Sequence, residues 1–204
     1  MTKVYALTRA AIVAQKVDWN KVEAVAIDEY QWLGEAPIRA SARVCYDESG
    51  LYARLEAEEQ NILARFNGMY DMVCLDSCLE LFLRPVEDDI RYFNFEFNPN
   101  GAMYLGFGHD RFDSVRQIVQ NPKRLFRVAR FEHNGGWGIE FYIPVSFLQL
   151  YFPGYLIKSG NIILGNFYKC GDETNRPHYI SWNKVQSETP DFHLPEQFGK
   201  WILK

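Results

Sequence analysis

Between Asp76 and Phe97 the chain carries two runs in which side-chain character alternates residue by residue, the period of an extended strand and not of a helix. In Asp76 to Leu83, Leu79, Leu81 and Leu83 share one face, and Cys78, Glu80 and Phe82 share the other. In Tyr92 to Asn98, Phe93, Phe95 and Phe97 point one way, and Tyr92, Asn94 and Glu96 point the opposite way. Each segment therefore has an oily side for a core and a second side that offers acceptors, donors and rings. Burying one such polar group unpaired costs roughly 1–3 kcal/mol, so a cluster of them implies solvent, mutual pairing or a ligand.

The same two-residue period recurs along the chain. Ser41–Tyr46 and Leu51–Ala57 alternate around the turn Asp47-Glu-Ser-Gly50, which predicts a hairpin with Leu51, Ala53, Leu55 and Ala57 on its inner face. Asn98-Pro-Asn-Gly101 predicts a turn into a strand over Ala102–Phe107. A third hairpin is expected from Arg124–Phe131 and Trp137–Ile143 across Asn134-Gly-Gly136, with further strands at Asn161–Cys170, His178–Trp182 and Gly199–Leu203. Helical periodicity is confined to Phe112–Val119 and to the residues after Pro144, a natural first position for a helix. Many short strands at about ten-residue spacing indicate an all-β, antiparallel β-sandwich of two sheets with one or two short helices. Without a Pro/Gly/Ser-rich linker or an internal repeat, residues 1–204 read as one domain.

Composition narrows the function classes. A net charge of −4 and a pI near 5.6 remove the broad attraction to phosphate on which nucleic-acid binders rely. No apolar run approaches the roughly 20 residues that cross a bilayer, so membrane insertion is not expected. Charges interrupt the apolar start of the chain, which does not read as a signal peptide; a cytoplasmic protein, or a secreted one whose leader is absent, is expected. Cys45, Cys74, Cys78 and Cys170 fall in strand-like segments without a matching histidine cluster and are expected as buried, reduced thiols.

Several pieces then occur in order: Ala42-Arg-Val-Cys-Tyr-Asp with Gly50-Leu-Tyr, Asp76-Ser-Cys-Leu-Glu-Leu-Phe, Tyr92-Phe-Asn-Phe-Glu-Phe-Asn, Gly136-Trp-Gly-Ile-Glu with Ile143-Pro, Ser181-Trp182, and Phe192-His-Leu-Pro-Glu-Gln-Phe-Gly199. Together, from about Trp19 to Leu203, they resemble the family 9 carbohydrate-binding modules attached to xylanases and found in stand-alone proteins. The resemblance implies an immunoglobulin-like two-sheet sandwich and non-catalytic binding of saccharides, plausibly oligosaccharides derived from xylan- or glucan-type plant polysaccharides, often at a chain end. It places polar sugar contacts on Glu80, Asn94 and Lys169, while Glu96 is added by strand alternation alone. The family's two clamping tryptophans are replaced here. One falls near Val73 or Cys74, with Tyr70 the nearest ring, and the other falls on Phe192 or His193. The resemblance implies no required cofactor, and it allows structural calcium and a separate catalytic glycosidase as partner.

Other readings of the same residues stand beside this one. Glu80 and Glu96 as paired carboxylates would suit a glycoside hydrolase acting on O-glycosyl bonds, which needs them about 5–10 Å apart in unequal environments. The polar faces could equally form a solvated outer sheet surface with cross-strand pairs. Trp137 and Trp182 read as packing residues, and Trp19 and Trp32 as closures of the sandwich ends.

Overall fold

The computed structural model describes residues 1–13, 16–133 and 135–204. The chain opens with β1 (Val4–Arg9), the small hairpin β2 (Ile12–Val13) and β3 (Lys16–Val17), and the short strands β4 (Val25–Ile27) and β5 (Glu29–Tyr30). The expected first hairpin follows as β6 (Arg39–Asp47) and β7 (Gly50–Glu58). Its turn is closed by Asp47, whose Oδ1 accepts from the backbone N–H of Ser49 at 2.8 Å and of Gly50 at 3.1 Å.

The two alternating runs become β8 (Cys78–Arg84) and β9 (Tyr92–Phe97), which pair antiparallel, and β10 (Met103–Gly108) continues the meander. Asn98 holds the β9–β10 turn by accepting from Asn100 N and Ala102 N, while Gly101 supplies the left-handed φ of 70° that the reversal needs. Beyond the edge strand β11 (Val115–Arg116) come a helical turn α1 (Pro122–Leu125), β12 (Ala129–His133), β13 (Gly136–Pro144), the helical turn α2 (Val145–Leu148), β14 (Ile162–Cys170), β15 (Tyr179–Ser181) and β16 (Gly199–Leu203).

Hydrogen bonding orders the first sheet as β11-β10-β9-β8-β14-β16-β1, with β15 on β14 and β5 on β15. The second runs β1-β6-β7-β13-β12, with β4 on β6. The oily faces meet between them. Phe95 and Phe97 of β9 lie 5.8 and 4.7 Å, centroid to centroid, from Phe141 of β13. Leu79, Leu81 and Leu83 from one side and Leu51, Ala53, Leu55 and Ala57 from the other are buried in the same core. Each large side chain so buried contributes about 1.5–3 kcal/mol. Trp137 and Trp182 are core residues, as their strand positions predict.

The sandwich is antiparallel apart from β1, which runs parallel to β16 through Val4–Leu7 and then parallel to β6 through Thr8–Arg9, belonging to both sheets. Three narrower expectations are corrected. Phe112–Val119 forms no helix. Asp110 Oδ1 accepts from Phe112 N and Asp113 N in a side-chain-closed turn, and Val115–Arg116 then pairs with β10, leaving Phe112, Val115 and Ile118 exposed with no core to cover. The strand expected from Arg124 starts only at Ala129, since Pro122 presets a helical turn at the preceding residues. The partner strand and hairpin are present, although Asn134 of the expected turn lies outside the described residues. Trp32 does not close a sandwich end and belongs to the site described next.

Candidate functional site

The second face of β8 and β9 is not a solvated surface. Antiparallel register sets Glu80 directly opposite Glu96 and Phe82 opposite Asn94, while on the other flank of β8 it sets Tyr168 opposite Glu80 and Cys170 opposite Cys78. Directly opposed residues project to the same side of a sheet, so these side chains form one floor. Phe82, Tyr92 and Tyr168 are covered by the segment that carries Phe192 and Phe198, which makes a second apolar cluster outside the sandwich. Phe192 stacks on Tyr168 with centroids 4.0 Å apart, and the Tyr168 hydroxyl donates to the Phe192 carbonyl at 3.1 Å. His193 Nδ1 is 2.6 Å from the Tyr92 hydroxyl.

Where this cover ends, a cavity of about 280 Å³ opens over Glu80, Asn94 and Glu96. Trp32, Tyr179, Phe192 and His193 form one wall, and Tyr104, Arg111 and Ser114 contribute to another. Trp32 packs against Phe192 at 5.4 Å and edge-on to Tyr179 at 5.5 Å, and its Nε1 donates to Ser187 O at 2.9 Å. Arg111 reaches across to Pro190 O at 3.1 Å, tying the two walls together.

The floor is polar and almost sealed by protein: Glu80 is 3%, Asn94 1% and Glu96 6% exposed. Asn94 Nδ2 donates to Glu96 Oε1 at 2.6 Å, and the Cys170 thiol donates to Glu80 Oε1 at 2.9 Å. Burial pushes both carboxyls above the ordinary carboxylate range, and the neighbouring Glu96 charge raises Glu80 further. Asn94 Oδ1 and Ser114 Oγ have no hydrogen-bond partner among the described residues. Both lie beside Gly106, where a Cβ would sit 2.2 Å from Asn94 Oδ1 and 2.8 Å from Ser114 Oγ; glycine leaves the room they occupy.

Of the site residues expected from sequence, Glu80, Asn94, Glu96, Phe192 and His193 line this cavity, and Lys169 and Tyr70 do not. Lys169 is paired with Leu79 and so projects to the interior side of the sheet. Its Nζ, fully buried, lies 2.8 Å from His178 Nε2 and 3.3 Å from Glu59 Oε1, and donates to Cys170 O at 2.9 Å. Glu59 also accepts from Trp137 Nε1 at 2.6 Å and from Ser77 Oγ at 3.1 Å, so the network spans the two sheets. Burial and the Lys169 charge lower His178 to about 4. Tyr70 instead has its hydroxyl between Val119 O and Val119 N, at 2.9 and 2.8 Å. Trp32, Arg111 and Ser114 line the cavity without having been expected there; Trp32 had been expected to close a sandwich end.

Two further features concern cations. The carboxylate of Asp76, wholly buried, accepts from Arg65 N, Phe66 N and Asn98 Nδ2 on one oxygen and from the Arg65 guanidinium at 2.9 Å on the other, so its acceptor positions are filled by donors. Cys78 Sγ, Cys170 Sγ and a Glu80 carboxylate oxygen converge, all within 4.8 Å of one another.

No curated protein sequence matches the chain significantly. Among solved structures, a Bacteroides uniformis protein described as a candidate carbohydrate-binding protein superposes with a TM-score of 0.85 at 26% identity, over 100% of both chains. A carbohydrate-binding module of family 9 from Caldicellulosiruptor kristjanssonii, in complex with glucose, gives a TM-score of 0.71 at 17% identity, covering 99% of this chain and 96% of that one. The cellotriose complex from the same organism gives 0.70 at 16% identity, over 99% and 94%. These likenesses establish the two-sheet sandwich, and the family profile described as Carbohydrate-binding family 9 matches residues 7–203. The chain belongs to carbohydrate-binding family 9.

Proposed function

We propose that residues 1–204 act as one non-catalytic carbohydrate-binding domain and that the cavity over Glu80, Asn94 and Glu96 receives the end of a xylan- or glucan-type oligosaccharide. The observation that carries the reading is Asn94 Oδ1, a buried acceptor on the cavity floor that has no partner among the described residues and to which a sugar hydroxyl can donate. Glu96 and Glu80 add acceptors, and Ser114 Oγ adds a group able to give or take a hydrogen bond. The rings of Trp32, Tyr179 and Phe192 offer apolar area to the C–H face of a pyranose. At about 280 Å³ the space lies just below the ~300–1,000 Å³ range of small-molecule sites, which suits one or two sugar units at a chain end. Glucose and cellotriose, the ligands of the Caldicellulosiruptor modules, are the natural first probes.

A sugar face burying on the order of 100 Å² of apolar surface gains roughly 2–3 kcal/mol. Each hydrogen bond exchanged with water adds about 0.5–1.5 kcal/mol, against several lost in immobilising the ligand. Affinities between micromolar and millimolar follow. Calorimetry with glucose, cellobiose, cellotriose and xylobiose, read together with tryptophan fluorescence, tests the reading. Saturable heat and a fluorescence change with at least one of them are expected; neither signal at up to about 10 mM sugar ends it.

Hydrolysis by Glu80 and Glu96 is less well supported, because burial shifts both carboxyls in the same direction whereas acid and base or nucleophile need contrasting environments. The binding reading calls for no cofactor. Calcium wants six to eight oxygen ligands. Asp76 is already engaged by donors and the convergent ligand cluster offers two sulfurs, so neither is suited to it.

A further inference from the structure

We propose that Cys78, Glu80 and Cys170 form a binding site for one thiophilic divalent cation of the zinc class, set into the floor of the cavity. The site follows from strand geometry. Alternation puts Cys78 and Glu80 on one face of β8, and antiparallel register puts Cys170 of β14 directly opposite Cys78. The two sulfurs and the carboxylate oxygen lie within 4.8 Å of one another, and Cys170 Sγ is 2.9 Å from Glu80 Oε1. Tetrahedral zinc, with bonds of about 2.3 Å to sulfur and about 2.0–2.2 Å to oxygen, separates its ligand atoms by about 3.5–4 Å. The separations here, from 2.9 Å between Cys170 Sγ and Glu80 Oε1 up to 4.8 Å, bracket that spacing.

Three protein ligands leave a fourth position open, and here it faces the cavity, because Glu80 and Cys170 are themselves lining residues while Cys78 lies behind them. The cavity thus supplies the entry path. Two sulfur donors select zinc, cadmium or cobalt over calcium and magnesium. On binding, each thiol gives up its proton to solvent, as does the Glu80 carboxyl where it holds one, and three ligand charges meet two on the cation. Glu96 and Asp172 line the same cavity, and a cation there would favour their ionised forms.

This inference stands apart from the saccharide reading, although the two share Glu80. The test uses the full chain, reduced, stripped with a chelator and freed of it, then titrated with cadmium. A thiolate-to-cadmium ultraviolet band saturating at one equivalent is expected, with a cadmium NMR shift diagnostic of sulfur ligation in the unmutated protein. Cys78→Ser and Cys170→Ser should each abolish the band, whereas Cys45→Ser, at a buried thiol outside the cluster, should retain it. Losing even an outer-shell partner commonly weakens metal sites about 10–100-fold, so Glu80→Gln should weaken binding at least tenfold. Absence of the band, a cadmium resonance with no sulfur donor, or a Cys78–Cys170 disulfide in protein isolated without reductant would each overturn the proposal. Sugar titrations on the metal-free protein separate the two ideas, since saccharide binding there is expected whether or not the cation site exists.

Discussion

Phe192 lies nearly flat on Tyr168, with ring planes 14° apart, and its other edge meets Trp32. One residue thereby fastens the covering segment to the sheet and forms a wall of the cavity. Phe192→Ala should lower sugar affinity at least about tenfold and also lower the melting temperature, since buried Phe→Ala changes cost about 3–5 kcal/mol. Trp32 is only half-buried, so Trp32→Ala should lose comparable affinity with a smaller thermal cost. Calorimetry and thermal denaturation on both variants make the comparison.

Lys169 divides two roles sharply. Lys169→Met leaves Glu59 buried without its cationic partner, and breaking such a pair costs about 3–5 kcal/mol. The urea midpoint should fall by that equivalent while the affinity of the remaining folded protein for sugar stays within about twofold of the parent. A tenfold loss of affinity would return Lys169 to the binding surface.

Glu96 should show a conflict between function and stability. Its folded-state pKa is raised, chiefly by burial, so between the unfolded value and the folded one the native state holds more protons than the unfolded state. Stability is therefore lost as pH rises through that interval. Glu96→Gln, which keeps the acceptor facing Asn94, should raise the melting temperature by roughly 2–4 °C at pH 8, with a smaller gain at pH 5, and should weaken sugar binding. Melting curves across this pH range decide it.

Gly106→Ala tests the position of the Asn94 carboxamide. The added methyl would fall 2.2 Å from Asn94 Oδ1, so the amide must swing away from the place it holds beside Ser114. Affinity should drop about tenfold while the melting temperature changes by only a few degrees, because the displaced group is a side-chain end and not backbone. Unchanged affinity would remove Asn94 Oδ1 from the list of sugar contacts.

What could be read from the residues alone had a local cause. The floor of Glu80, Asn94 and Glu96 was legible because alternation fixes faces within a strand, and neighbouring strands in a meander share them. Lys169 was placed at the site by the family resemblance and not by alternation; within β14 it shares a face with Ile163 and Phe167, both core residues, and its pairing with Leu79 turns it inward. Trp32 sits at a φ of 51° in a loop, and Arg111 and Ser114 come from a side-chain-closed turn in a stretch that reads as helical. No short-range periodicity reports such positions. The parallel pairing of β1 has no turn signature either, since both its partners arrive from remote segments.

The seating of β16 between β14 and β1 has a consequence for biosynthesis. It is the last of these strands to leave the ribosome, and until it emerges β14 and β1 each present a raw edge of unsatisfied amides and carbonyls. β1 must wait for β16 before this sheet closes, and until then the gap between β14 and β1 is open to a strand from a neighbouring molecule.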